Sequence, residues 1–256
     1  MDDSAPSGTV QAGWTLLRVV EALFEAGESG VTALAAETGL TKGTVHKHLT
    51  TLAEAGYVLN DEGTYRLGFR FLTLGGAVRD RNRLCSAATP EVLALSEATD
   101  ELCTLAVEER GHGVFVFGVN DDYGIRRRHH LGSRFYLHSN AAGKAMLARL
   151  PDARVRHILE STGMPAVTDR TTTDPATLLT ELATVREQGY ALNVREIYPD
   201  INGIGVAVHD EGSDTLGALT VVGPASRLSP ERLEAEYAEL LADRADDLEL
   251  RLRYED

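Results

Sequence analysis

Lysine is scarce in this chain of 256 residues. Only Lys42, Lys47 and Lys144 occur, against 39 acidic residues, and the formal net charge is −14. A surface rich in carboxylates and poor in lysine is typical of proteins that work in molar salt, where screening makes self-repulsion tolerable. A GC-rich genome, whose codons favour arginine over lysine, would give a similar composition. Of the two interpretations we favour a halophile.

Cysteines are almost absent, and long apolar runs are missing. The chain has two isolated cysteines, Cys85 and Cys103, which exclude a disulfide framework and fit a reducing compartment. No run of about 18 apolar residues could span a membrane, and residues 1–8 lack the basic and apolar segments of a signal peptide. We therefore expect a cytoplasmic protein that does not contact a membrane, with residues 1–9 as a disordered tail.

Motifs for catalysis and metal binding are missing as well. His129 and His130 are adjacent, so a strand would point them to opposite faces, and no further ligands occur at metal-binding spacing. His138 and Ser139 lack the glycine elbow and the third group of a nucleophilic triad. The sequence predicts no metal, no cofactor and no enzymatic activity.

The N-terminal part carries the pattern of a helix-turn-helix. Apolar residues over 14–26 recur at the spacing of one helix face. A short helix capped by Thr32 ends at Gly39, and Thr41 caps a further helix that runs to about Ala55. Two helices joined by a tight turn that contains glycine form this motif. Short strands over 57–59 and 64–67, around a turn with glycine, predict a wing.

The exposed face of the second helix of this motif is free of carboxylates from Thr41 to Ala53. In so acidic a chain this local absence favours a polyanionic partner. Small polar groups let the helix approach base edges, while lysines reach phosphates. The predicted DNA-binding residues are Thr41, Lys42, Gly43, Thr44, His46, Lys47 and Thr50, with Arg66 in the wing. The alternative is an ordinary amphipathic helix of a helical hairpin.

Several separated motifs together resemble the isocitrate lyase regulator (IclR) family of transcription factors. They cover residues 34–40, 41–49, 65–68, 138–148, 185–191 and 223–228, in the family's order and at its spacings. The resemblance implies a winged helix-turn-helix that binds DNA, a linker helix, and a C-terminal GAF-like α/β effector-binding domain. It also implies dimers or tetramers on palindromic promoter sites.

The remainder of the chain alternates short strands and helices, which predicts an α+β fold. We expect the winged helix-turn-helix over 10–70, a linker helix over 71–84 that Gly75 and Gly76 interrupt, and the effector-binding domain over 85–256. Predicted helices cover 89–99, 141–150, 152–160, 175–188 and 229–254, and predicted strands cover 102–108, 114–119, 124–131, 190–194, 204–208 and 216–222.

The resemblance further implies a pocket for a small molecule. Its residues correspond to Asn140, Ala141, Ala142, Asn193, Glu196, Gly203, Thr220 and Val222 in this chain. Backbone N–H groups at the start of a helix suit a carboxylate, so an organic or sugar acid is expected. At three of the four strand positions the residue differs from the family's in polarity or size, which leaves the identity of the ligand open.

Two functions follow from these patterns. The first is a sequence-specific transcriptional regulator, a homodimer or tetramer, that reads a near-palindromic site in double-stranded DNA and responds to a small metabolite. The alternative is a protein-interaction or ligand-binding module whose winged helix has no affinity for DNA. Its support is the charge of residues 1–81, which contain seven basic and ten acidic residues.

Overall fold

A computed structural model describes residues 8–119 and 130–254, and the chain divides into two compact units, Met1–Val78 and Arg79–Asp256. The described residues of the first unit form three complete helices, most of a fourth, and an antiparallel sheet of three strands in the order β1-β3-β2. Its elements are α1 (Gln11–Ala26), β1 (Glu28–Gly30), α2 (Val31–Thr38), α3 (Lys42–Glu54), β2 (Val58–Asp61) and β3 (Thr64–Leu67).

The helix-turn-helix of the first unit is formed by α2 and α3. Gly39 ends α2 with φ 67°, a left-handed conformation that glycine adopts without strain. Thr41 caps α3, because its hydroxyl accepts a hydrogen bond from the N–H of Thr44 at 3.1 Å. One side of α3 buries Val45, Leu49 and Leu52 in the core of this unit, so the opposite side is exposed.

Two details of the first unit differ from the prediction. Gly30 precedes α2, and Thr32 makes no capping hydrogen bond because it already lies inside the helix. Residues 28–30, for which the sequence pattern indicates no strand, form β1. Three residues are too few for a periodic pattern, and this strand exists because it pairs with β3, Glu28 lying opposite Arg66.

The predicted linker helix corresponds to α4 (Arg70–Arg81) and the first residues of α5 (Arg83–Thr99). Gly75 and Gly76 do not interrupt α4. The break falls at Asn82 instead, whose side chain caps α5 by accepting the N–H of Cys85 at 3.0 Å. The helix predicted to begin at residue 89 therefore starts six residues earlier, and Pro90 lies inside it.

The second unit is built on a six-stranded antiparallel sheet in the order β6-β5-β4-β9-β8-β7. Its strands are β4 (Leu102–Glu109), β5 (His112–Val119), β6 (Arg134–Tyr136), β7 (Ala191–Val194), β8 (Ile201–Asp210) and β9 (Thr215–Pro224), and its further helices are α6 (Ala141–Ala148), α7 (Asp152–Thr162), α8 (Pro175–Gln188) and α9 (Pro230–Tyr254). The α+β prediction is confirmed. The strand predicted over 124–131 falls largely outside the described residues, as does His129.

Two apolar cores lie on the two faces of this sheet. Residues of α5 and α9 pack against one face, where Cys103 and Leu105 of β4 are buried. Residues of α6, α7 and α8 pack against the other. Burial raises the pKa of each cysteine thiol to about 11, so both cysteines are small core residues. No described helix combines the length and apolar character needed to cross a membrane.

Candidate functional site

The exposed side of α3 carries seven of the eight predicted DNA-binding positions, counting its cap. All are exposed except Thr44, which is half-buried. The hydroxyl of Thr50 donates to the carbonyl of His46 at 2.9 Å, and that of Thr41 lies 2.9 Å from the hydroxyl of Thr44. These local hydrogen bonds keep the short side chains close to the helix, and the longer side chains of Lys42 and Lys47 are both exposed.

The eighth predicted position, Arg66, lies exposed on the central strand of the wing, between Glu28 of β1 and Leu59 of β2. The wing turns through Glu62 and Gly63, both with positive φ, and Asn60 accepts the N–H of Gly63 at 2.9 Å. Glu62 is exposed at the tip, where phosphate would repel it. The wing therefore offers one cation on its strand and two carboxylates, those of Asp61 and Glu62, at its tip.

An open cavity lies in the second unit and is lined mainly by strands of the sheet and by the start of α6. It gathers seven of the eight positions that were predicted to bind a ligand. The predicted residues in its wall are Asn140, Ala141, Ala142, Asn193, Gly203, Thr220 and Val222; the other lining residues are Leu102, Thr104, Phe115, Phe117, Gly118, Leu131, Ile197, Tyr198 and Ile201. None of these described lining residues is charged.

The register of the sheet explains why positions far apart in sequence meet in this wall. Leu102 pairs with Val222, Val222 with Gly203, and Gly203 with Asn193, so a single row crosses β4, β9, β8 and β7. Gly203 lies within this row. A Cβ added there would meet the carbonyl oxygen of Val221 at 3.0 Å and the Val222 side chain at 3.2 Å. Because residue 203 is glycine, its backbone and no side chain lines the wall at this point.

The start of α6 supplies the polar end of the cavity. Asn140 caps this helix, its Oδ1 accepting the N–H of Gly143 at 2.9 Å. Its Nδ2 is buried and has no hydrogen-bond partner among the described residues, while Asn140 itself lines the cavity. A buried donor without an acceptor is costly, and the first amides of a helix have no acceptor within the helix. This end of the cavity therefore suits an acceptor such as a carboxylate.

Gly143 lets α6 sit where it does. A Cβ at this position would lie 2.1 Å from the carbonyl oxygen of Leu137, so any other residue would push the start of α6 away from residues 137–139. Glycine is thus required here because two backbone segments approach closely. This close approach sets the position of Asn140 and Ala141 in the cavity wall.

The other polar groups of the wall are already paired. The hydroxyls of Thr104 and Thr220 lie 2.6 Å apart. Asn193 donates to the carbonyl of Ile201 at 3.2 Å and accepts the N–H groups of Glu196 and Ile197 at 3.1 and 3.3 Å. Asn193 therefore shapes the loop that follows β7 as well as lining the cavity.

Glu196 is the predicted ligand-binding residue that does not line the cavity. Its two carboxylate oxygens lie 2.9 and 2.7 Å from Nζ of Lys144. Burial raises the pKa of Glu196, and the neighbouring Lys144 ammonium partly offsets this rise. Nε2 of His138 donates to the carbonyl oxygen of Pro165 at 3.1 Å, and burial lowers the pKa of His138. Among the described residues no group of side chains could hold a metal ion.

Sequence reasoning missed most of the apolar part of the wall, including Leu102, although it predicted Val222. Leu102 and Thr104 of β4, and Thr220 and Val222 of β9, alternate with residues that face the other core, as the period of a strand requires. Alternation along these strands could have indicated which side chains share a face. It could not indicate which face is covered by helices and which encloses a cavity.

Known proteins resemble this chain along almost its whole length. Residues 76–250 match the family model described as the bacterial transcriptional regulator IclR C-terminal domain, and residues 16–62 match the IclR helix-turn-helix domain. The "Probable HTH-type transcriptional regulator ArcR" of Halobacterium salinarum is 30% identical over 240 residues, which cover 92% of this chain and 91% of that protein.

Solved structures agree with the fold. The crystal structure of Thermotoga maritima IclR has a TM-score of 0.78 and 25% identity, covering 95% of this chain and 98% of the other. An IclR homologue from Microbacterium hydrocarbonoxydans, crystallised with 4-hydroxybenzoate, has a TM-score of 0.78 and 24% identity, covering 95% of this chain and 99% of the other. At 24% identity, the similarity to the Microbacterium structure supports the fold alone.

Proposed function

Since the chain belongs to the IclR family of bacterial transcriptional regulators, we propose that it binds a near-palindromic DNA site through α3 and that an organic acid in its cavity modulates this binding. It is a DNA-binding transcriptional regulator with a C-terminal ligand-binding domain. Its relatives are regulators and not enzymes, as the sequence predicts for this chain. A regulator of this kind works on DNA in the cytoplasm.

The observation that carries the proposal is that the exposed side of α3 has no carboxylate from Thr41 to Ala53, in a chain with 39 acidic residues; the first one, Glu54, stands at the far end of the helix. Thr41, Gly43 and Thr44, at the start of the helix, let its backbone approach the base edges of the major groove. Lys42 and Lys47 neutralise phosphates and hold the helix in register. Thr50 and His46 extend the contact along the groove, and Arg66 in the wing contacts the sugar-phosphate backbone of the DNA.

The chemistry of the cavity favours a carboxylic acid with an apolar body. Its carboxylate would accept hydrogen bonds from Nδ2 of Asn140 and from the first amides of α6. Its body would contact the rings of Phe115 and Phe117 and the aliphatic side chains of the wall. 4-Hydroxybenzoate, bound by the Microbacterium homologue, is the first ligand to test.

Self-association is supported by the apolar side chains of α4 and the residue before it. Phe69, Leu72, Leu74 and Val78 are all exposed in the single chain, and α4 has no buried residue. Large apolar side chains that stay exposed along one helix are typical of a surface that a protein partner covers. A second copy is the partner we propose, since a homodimer presents two α3 helices to the two halves of a near-palindromic site.

The test is binding of the purified protein to the duplex upstream of its own gene, with random duplex as competitor. We expect specific binding across KCl concentrations from low to molar, and a change in affinity when 4-hydroxybenzoate is added. Specific DNA binding that does not respond to this acid would show that the proposed ligand is wrong and that the proposed DNA binding is right. Loss of all DNA binding, with retained binding of small acids, would favour the alternative of a ligand-binding module that kept its winged helix.

A further inference from the structure

Lys144 is a buried lysine that neither the DNA-binding face nor the cavity uses. It lies on α6 with 1% of its surface exposed. Its Nζ contacts Oε1 of Glu181 on α8 at 2.5 Å and both carboxylate oxygens of Glu196 at 2.7 and 2.9 Å. An ammonium buried this deeply is stable only with such partners, so the question is what the cluster does.

The loop that carries Glu196 is attached at several points. Asn193 accepts the N–H groups of Glu196 and Ile197. The hydroxyl of Thr171 donates to the carbonyl of Glu196 at 2.7 Å, and that of Thr168 donates to the carbonyl of Arg195 at 2.8 Å. These hydrogen bonds hold the backbone of the loop, but they leave the Glu196 carboxylate buried and in need of a counter-charge.

The same loop forms one wall of the cavity. Ile197 and Tyr198 directly follow Glu196 and line the cavity, as does Ile201 where β8 begins. Lys144 lies on the helix whose first residues, Ala141 and Ala142, form the polar end of the same cavity. The ion pair between Lys144 and Glu196 thus joins the polar end of the cavity to its apolar wall.

We propose that Lys144 is a positioning residue for ligand recognition: its ammonium is the counter-charge that allows Glu196 to be buried, and this fixes Ile197 and Tyr198 against the ligand. Lys144 itself touches no ligand. Glu181 is the weaker partner, since a third of its side chain is exposed and it can turn to solvent when Lys144 is absent. This proposal rests on the proposed ligand-binding function of the cavity.

Three variants separate a counter-charge from ordinary packing. Lys144→Met keeps most of the apolar stem and removes the charge, which leaves Glu196 buried without its partner. In the double variant Lys144→Met/Glu196→Gln the neutral amide needs no counter-charge. Arg149→Met is the matched control, because it removes a cation at the other end of α6, where Arg149 pairs with Glu249.

The primary measurement is amide hydrogen exchange of residues 194–201 in the ligand-free full chain. We expect exchange in Lys144→Met to accelerate about tenfold or more, because the wall opens when Glu196 moves to solvent. The double variant should return close to the wild-type rate, Arg149→Met should match the wild type over residues 194–201, and peptides of α3 in the first unit should be unchanged in all of them. A Lys144→Met protein that exchanges like the wild type overturns the proposal.

Failure to fold is also informative. If Lys144→Met does not fold and the double variant does, Lys144 is needed for its charge opposite Glu196, as proposed. If neither folds, or if the double variant exchanges as fast as the single one, Lys144 acts by packing and the proposal fails.

The effect of Lys144 on ligand binding is measured by titration calorimetry with 4-hydroxybenzoate. We expect Lys144→Met to bind this acid about tenfold more weakly, and the double variant to recover the affinity. If the wild type does not bind 4-hydroxybenzoate, the proposed ligand is wrong, while the exchange measurement still decides the role of Lys144.

Discussion

Lys47 lies on the exposed side of α3, one turn after the start of the helix, and has no acidic residue beside it in sequence. A phosphate contact made by this side chain carries no sequence information. Lys47→Ala should therefore weaken binding to the specific duplex and to random duplex alike, and lower the slope of log affinity against log salt by about one. Fluorescence anisotropy at several KCl concentrations measures both.

The matched control for this prediction is Arg154→Ala, which removes an exposed cation from α7 in the second unit. It should leave both affinity and slope unchanged. If Lys47→Ala behaves like Arg154→Ala, the exposed side of α3 does not face the phosphates and the orientation of the recognition helix must be revised.

Single residues were the hardest features to predict from the sequence. The resemblance pointed to Asn140, Asn193 and Gly203, and the structure places all three in the cavity wall. It placed Glu196 at the pocket as well, but the carboxylate contacts Lys144. The direction of a side chain in an irregular loop depends on the residue it packs against in the fold. The sequence of the loop has no periodicity that would predict this partner.

At the scale of elements, long helices with a regular apolar stripe were predicted most closely. The helix predicted over 175–188 coincides with α8, whose cap Asp174 accepts the N–H of Thr177 at 2.7 Å. β1 was missed because it depends on its pairing with β3. The start of α5 was missed because proline favours the first turn of a helix, whereas Pro90 lies in the interior of α5.

Helix α4 allows a prediction about assembly. The exposed side chain of Leu72 is 69% accessible, and we expect a second copy to cover it. Leu72→Glu should weaken dimerisation about tenfold or more, because a carboxylate would be buried in an apolar contact. Light scattering over a range of protein concentrations measures the monomer–dimer equilibrium.

Leu250→Glu serves as the control for this substitution, since Leu250 on α9 is 55% exposed and leucine and glutamate have similar helix propensities. We expect it to dimerise like the wild type. If the Leu250→Glu dimer dissociates and the Leu72→Glu dimer does not, the interface lies on α9 and the proposal for α4 is wrong.

At the scale of the whole molecule, the net charge of −14 opposes the compact state through self-repulsion. Salt screens this repulsion, and the Debye length falls to about 3 Å at 1 M. The free energy of unfolding should therefore rise as KCl increases, with most of the gain below about 0.5 M. Urea titrations at a series of KCl concentrations test this, with sucrose as an uncharged control. A stability that falls or stays level with KCl would contradict adaptation to high salt.

The distribution of the three lysines has a practical consequence. Lys42 and Lys47 are exposed on α3, whereas Lys144 is buried with 1% of its surface accessible. Amine-reactive reagents will thus modify lysine side chains almost only on the face that we propose binds DNA. Coupling the protein to a sensor chip through lysine amines would block that face and imitate a loss of DNA affinity, so immobilised assays should attach the DNA. The same selectivity makes acylation of two lysines, followed by mass spectrometry, a footprint of operator occupancy.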